Sequence, residues 1–76
     1  MDKYEFNLKV DQIRKMVNKG DYGTAKRIAD GIDWNKVRSN ANLLSMISQV
    51  YEKNRDHRNA KDILLMAYER APIGKR

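Results

Sequence analysis

The chain reads as all-α, built from two helical hairpins, on three observations. Apolar residues recur at helical spacing in four separate stretches. Two turn signals, Lys19-Gly20-Asp21 and Asn54-Arg55-Asp56, each lie between two such stretches. The segment Gly20-Asp21-Tyr22-Gly23-Thr24-Ala25 returns as Arg55-Asp56-His57-Arg58-Asn59-Ala60, an offset of 35 residues. Self-similarity at about that period marks arrays of paired helices.

The first helix is expected over about 4–18. Residues 4–10 alternate apolar and polar as a strand does, but Phe6, Val10, Ile13 and Val17 fall at i, i+4, i+7 and i+11, one helical face. A lone strand would also leave its backbone groups unpaired. Gly20 suits the left-handed conformation just past a helix end, and Asp21 suits the N-cap of the next helix. That second helix, about 22–30, carries Tyr22, Ala25, Ile28, Ala29 and Ile32 on one side, with Ala25 small where the two helices cross. Gly31 and Asp33 interrupt the pattern, and Asp33 is placed to cap a short turn through Trp34–Arg38. Ser39 or Asn40 caps the third helix, about 41–54, whose apolar face is Leu43, Leu44, Ile47, Val50 and Tyr51 with Met46 at its edge. Asp56 repeats the capping role of Asp21 and opens the fourth helix, about 57–71, which Pro72 stops. Ile63 to Tyr68 is an unbroken apolar run. At ~100° per residue it wraps most of the helix circumference, so one partner helix cannot cover it.

Length and composition narrow the class. A chain of 76 residues makes one small domain, which buries only ~60% of its unfolded surface. With 41% hydrophobic and 34% charged residues it is too apolar for a disordered chain and suits a thin helical one. The absence of cysteine excludes a disulfide scaffold and thiolate metal sites, and the expected compartment is the cytoplasm. Met1-Asp2-Lys3-Tyr4-Glu5 carries charge where a signal peptide needs an apolar run, and no apolar run reaches membrane-spanning length, so no membrane role is expected. The net charge of +6 is spread evenly, with nine Lys/Arg and six Asp/Glu in residues 1–38 and seven and four in residues 39–76. Such a charge permits an anionic partner without selecting one.

At this point the chain resembles the tetratricopeptide repeat family, whose units are helix–turn–helix repeats of about 34 residues. In the second unit Leu44 and Ile47 stand at the early large apolar positions, Tyr51 at the aromatic one and Ala60 at the small residue of the crossing. Leu64 and Ala67 take the later large and small positions and Pro72 the closing proline, while Ser48 replaces the usual glycine. In the first unit Gly20, Asp21, Tyr22 and Ala25 fit the turn and the crossing, Ile13 sits where a small residue is usual, and no proline closes the unit. A divergent unit is what an end repeat shows.

The resemblance implies one domain over 1–76, with unit one about 4–33, a connector with a short helical turn about 34–39, unit two about 40–72 and a tail 73–76. It implies two antiparallel hairpins stacked as in a solenoid. Three units usually share such a core, so the expectation is the N-terminal piece of a longer repeat protein, or a short version that self-associates. It also implies a non-catalytic protein–protein interaction scaffold with a peptide groove lined by Asn7, Val10 and Arg14 in unit one and by Asn42, Ser45 and Gln49 in unit two. The family's lysine–asparagine clamp for a C-terminal carboxylate is not supplied by Ser45 and Gln49. The wrapped apolar run makes Leu65, Met66 and Tyr68 the candidates for homo-oligomer contact through the last helix.

Chemistry finds little purchase. His57 is the single histidine, within reach of Asp56 or Asp62, and reads as a solvated first-turn residue. No cysteine or second histidine completes a zinc site. Asp30 with Asp33, and Glu52 with Asp56, flank turns and read as helix caps. Trp34 reads as a packing residue between units. No catalytic, cofactor or metal role is assigned. The alternative is a small basic nucleic-acid-binding protein: Lys53, Arg55, Arg58 and Lys61 are the densest basic cluster, interrupted by Glu52, Asp56 and Asp62. Residues 24–37 partly match a helix-turn-helix, with Gly31 and Val37 correctly spaced and Arg27 where a small residue is needed.

Overall fold

The computed structural model describes residues 2–37 and 39–70, all in helices, turns and short connections. Four helices follow in order: α1 (Lys3–Lys19), α2 (Tyr22–Asp30), α3 (Ala41–Lys53) and α4 (His57–Arg70). The fold class is all-α. The expected end of the last helix at residue 71, its stop at Pro72, the tail and the end of the connector turn at Arg38 lie outside the described residues.

The chain divides into two compact units, Met1–Val37 and Arg38–Arg76. The first packs α1 on α2 and the second packs α3 on α4. Each is an antiparallel hairpin, as connections of two and three residues require.

The same turn is built twice. After α1, Gly20 takes φ 81°, its N–H donates to the Val17 carbonyl, and the Asp21 N–H donates back to the Met16 carbonyl at 2.8 Å. After α3, Arg55 takes φ 61°, its N–H donates to the Glu52 carbonyl, and the Asp56 N–H donates to the Tyr51 carbonyl at 2.9 Å. This pair of bonds satisfies carbonyls that a helix end leaves open. The aspartate that follows caps the next helix in both units. Asp21 accepts from the Thr24 N–H at 3.1 Å and the Thr24 hydroxyl at 2.8 Å. Asp56 accepts from the Asn59 N–H at 3.3 Å and the Asn59 side-chain amide at 2.8 Å. Of the two candidate caps for α3, Asn40 is the one used, accepting from the Leu43 N–H at 2.8 Å. Asp2 caps α1 through the Glu5 N–H at 2.8 Å.

Arginine at φ 61° is strained where glycine at the matching turn is not. The left-handed conformation costs an L side chain ~1–2 kcal/mol, part of which is offset by the extra unfolded-state freedom of glycine. Arg55→Gly is therefore expected to raise stability by ~0.5–1 kcal/mol in chemical denaturation, and Gly20→Ala to lower it by ~1 kcal/mol.

The two cores distribute bulk differently. In unit one Ile13 on α1 is fully buried, as are the small Ala25 and Ala29 on α2; Val10 and Ile32 join them. In unit two the residue matching Ile13 is Ser48, buried on α3, whose hydroxyl donates to the Ala60 carbonyl at 2.9 Å. The bulk there comes from Leu43, Leu44, Ile47, Val50 and Tyr51 on α3 and Ile63 on α4, beside Ala60 and Ala67. Volume moved from one helix to the other keeps a core filled at native density.

Trp34 belongs to the first unit by its contacts. Its indole N–H donates to the Ala29 carbonyl at 3.1 Å, and its ring meets Phe6 edge-on at 6.1 Å and 74°. Asp33 opens the turn that carries it, accepting from the Asn35 N–H through its side chain and from the Lys36 N–H through its backbone. An aromatic in this place covers the end of α2 and adds a second donor to a terminal carbonyl that already accepts from the Ile32 N–H.

Candidate interaction faces

The polar residues expected to line a groove separate by unit. On α1, Asn7 and Arg14 are exposed and, seven residues apart, lie on one face two turns from each other. Val10 does not join them. It is 6% exposed and belongs to the core, because a step of three residues turns the helix ~60° back toward the side that carries Ile13. On α3, Asn42 and Gln49 are exposed on one face in the same way, with Ser45 half-buried between them. Four of the six candidates are therefore fully open to a ligand: Asn7, Arg14, Asn42 and Gln49.

The apolar candidates on α4 do not form one face. Leu65 and Tyr68 are exposed and adjacent at i, i+3. Met66 is half-buried, roughly 160° round the helix from Tyr68, on the opposite flank of the Ala60–Ile63–Ala67 core stripe. Sequence reasoning missed a second exposed apolar pair, Tyr4 and Leu8 on α1. The signal was present: both fall off the Phe6–Val10–Ile13–Val17 face at a spacing of i, i+4.

The titratable groups serve the turns. His57 Nδ1 lies 2.8 Å from Glu52 Oε2, tying the last turn of α3 to the first of α4; its partner is neither Asp56 nor Asp62. The Thr24 hydroxyl, then the Thr24 N–H, hold the Asp21 carboxyl below its ordinary value. A depressed carboxylate pKa contributes stability above the unfolded value, and that contribution is lost as pH falls through the folded value. Asp21→Asn keeps a capping oxygen and removes the titration. The wild type is accordingly expected to lose more stability than the variant as pH falls below about 4, measured by denaturant unfolding across an acid series. Lys53, Arg55, Arg58 and Lys61 are exposed around the second turn, where Glu52 engages His57 and Asp56 caps α4.

No helix among the described residues is long and apolar enough to cross a membrane. Comparison with protein-family models, with curated proteins and with solved structures finds no match to this chain.

Proposed function

We propose that the chain is a non-catalytic protein-interaction module of the tetratricopeptide type, with two units stacked as a short superhelix in the cytoplasm and an extended peptide bound along the first helix of each. The observation that carries this reading is the recurrence of one hairpin. A left-handed turn residue, a capping aspartate and a buried crossing alanine stand at 20, 21 and 25 and again at 55, 56 and 60. Sequence-distant repetition of turn and crossing together is how repeat proteins build a continuous binding surface from identical parts. Asn7 and Arg14, with Asn42 and Gln49, supply amide and guanidinium groups suited to the backbone and carboxylates of an extended acidic peptide.

The test is selection from a random peptide display library on the immobilised chain, followed by solution affinities for a selected peptide. Arg14→Ala and Gln49→Ala should each weaken binding by about fivefold or more while leaving helicity unchanged. Binding indifferent to both substitutions would place the ligand elsewhere and contradict the groove. Tight binding of arbitrary RNA or DNA that falls steeply with salt would instead favour the basic nucleic-acid reading, through Arg55, Arg58 and Lys61.

A further inference from the structure

Four large apolar side chains stand out from the described surface: Tyr4, Leu8, Leu65 and Tyr68, at 76, 47, 49 and 62% exposure. Two are on α1 and two on α4, and a charged residue extends each pair at the same helical spacing. On α1 the stripe is Tyr4, Leu8 and Asp11, at i, i+4 and i+7; on α4 it is Lys61, Leu65 and Tyr68, again i, i+4 and i+7. Asp11 and Lys61 are exposed, and neither has an ion-pair partner among the described residues. Along the chain the first stripe runs aromatic, aliphatic, acid. The second runs base, aliphatic, aromatic. Both cover ~10.5 Å of helix, and when one is reversed the two leucines fall within ~1.5 Å of the same height.

We propose that these stripes are the two halves of one heterologous contact, through which α4 of one copy of this chain packs antiparallel on α1 of a second copy. Tyr68 then meets Tyr4, Leu65 meets Leu8 and Lys61 meets Asp11. The pairing of unlike stripes is what the charges select. Two α4 stripes laid antiparallel set Lys61 against Tyr68 and bring Asp62 of one copy toward Glu69 of the other, and two α1 stripes set Tyr4 against Asp11. Only the mixed pairing matches aromatic with aromatic, leucine with leucine and acid with base. The contact is small, so association is weak and concentration-dependent. Because it is head-to-tail, it adds copies progressively unless a ring closes. On the other edge of the same pairing Glu5 faces Glu69, which opposes it. This inference rests on the exposed stripes alone and stands apart from the peptide-binding reading.

Sedimentation of the full chain, from dilute solution to millimolar concentration, tests it with two charge reversals. Asp11→Lys and Lys61→Glu should each weaken self-association by roughly threefold to tenfold, with helicity unchanged because both sites are exposed. An equimolar mixture of the two variants restores acid opposite base in every mixed pair and should associate clearly more than either variant alone, approaching about half of the wild-type level while association is weak. Glu5→Lys should strengthen it. A wild type that stays monomeric at millimolar concentration overturns the proposal. So does association insensitive to Asp11→Lys, which would place the contact on α4 alone, and so does a mixture no more associated than its components. Leu8→Ala and Leu65→Ala supply a charge-independent check: each should lower association, and an effect from Leu65→Ala alone would again overturn the heterologous pairing.

Discussion

Trp34→Ala is expected to unfold much of the first unit. The indole is 5% exposed, meets Phe6 with its edge and gives its N–H to the Ala29 carbonyl at the end of α2. Truncation removes the largest side chain in the unit and one of the donors to the Ala29 carbonyl, which keeps the Ile32 N–H at 3.0 Å. Removing a buried tryptophan side chain costs ~3–5 kcal/mol. A chain of this length holds only about 4–11 kcal/mol in total. The melting temperature should fall by ~15 °C or more, followed by far-ultraviolet circular dichroism. Trp34→Phe keeps an aromatic ring and loses the donor, so its fall should be clearly smaller. Equal losses for the two variants would assign the whole effect to the hydrogen bond.

The second large effect is expected in the other hairpin. Ile47 is fully buried on α3, next to Ser48, whose hydroxyl reaches the Ala60 carbonyl of α4. Ile47→Ala leaves a cavity at this crossing, with an expected cost of ~2–5 kcal/mol by denaturant unfolding. Leu65→Ala removes a side chain of similar size from a half-exposed position on α4 and should change the stability of the dilute chain by less than ~0.5 kcal/mol. The contrast separates residues that hold the hairpin from those that only decorate its outside.

Much of this architecture was legible from local chemistry. Gly20-Asp21 and Arg55-Asp56 announce the turns because a left-handed residue and a capping carboxylate have few other uses in that order. The four helices accordingly fall within a residue or so of their expected ends, where those ends are described. The buried face of α3 followed from its spacing. What spacing does not settle is where a buried face ends. Val10 lies on the apolar face that spacing marks on α1, and its place in the groove came from the resemblance; the structure keeps it in the core and leaves Asn7, three residues away, at the surface. Met66 and Tyr68 look contiguous in the apolar run but lie on opposite flanks of α4. Trp34 was legible as a packing residue, while the contacts it makes depend on a turn that folds back toward Phe6 and Ala29. Tyr4 and Leu8 lie on the side of α1 opposite the Phe6–Val10–Ile13–Val17 face, where the apolar spacing that marks a core does not reach.

Each hairpin closes over a small side chain at its crossing, Ala25 in the first unit and Ala60 in the second, 0 and 3% exposed. Methyl relaxation by a soluble paramagnetic agent measures this directly on the dilute chain, with Leu65 as an exposed reference. Both alanine methyls should be shielded severalfold more than the Leu65 methyls. Alanine methyls relaxed as strongly as Leu65 would mean that the paired helices do not close at these residues.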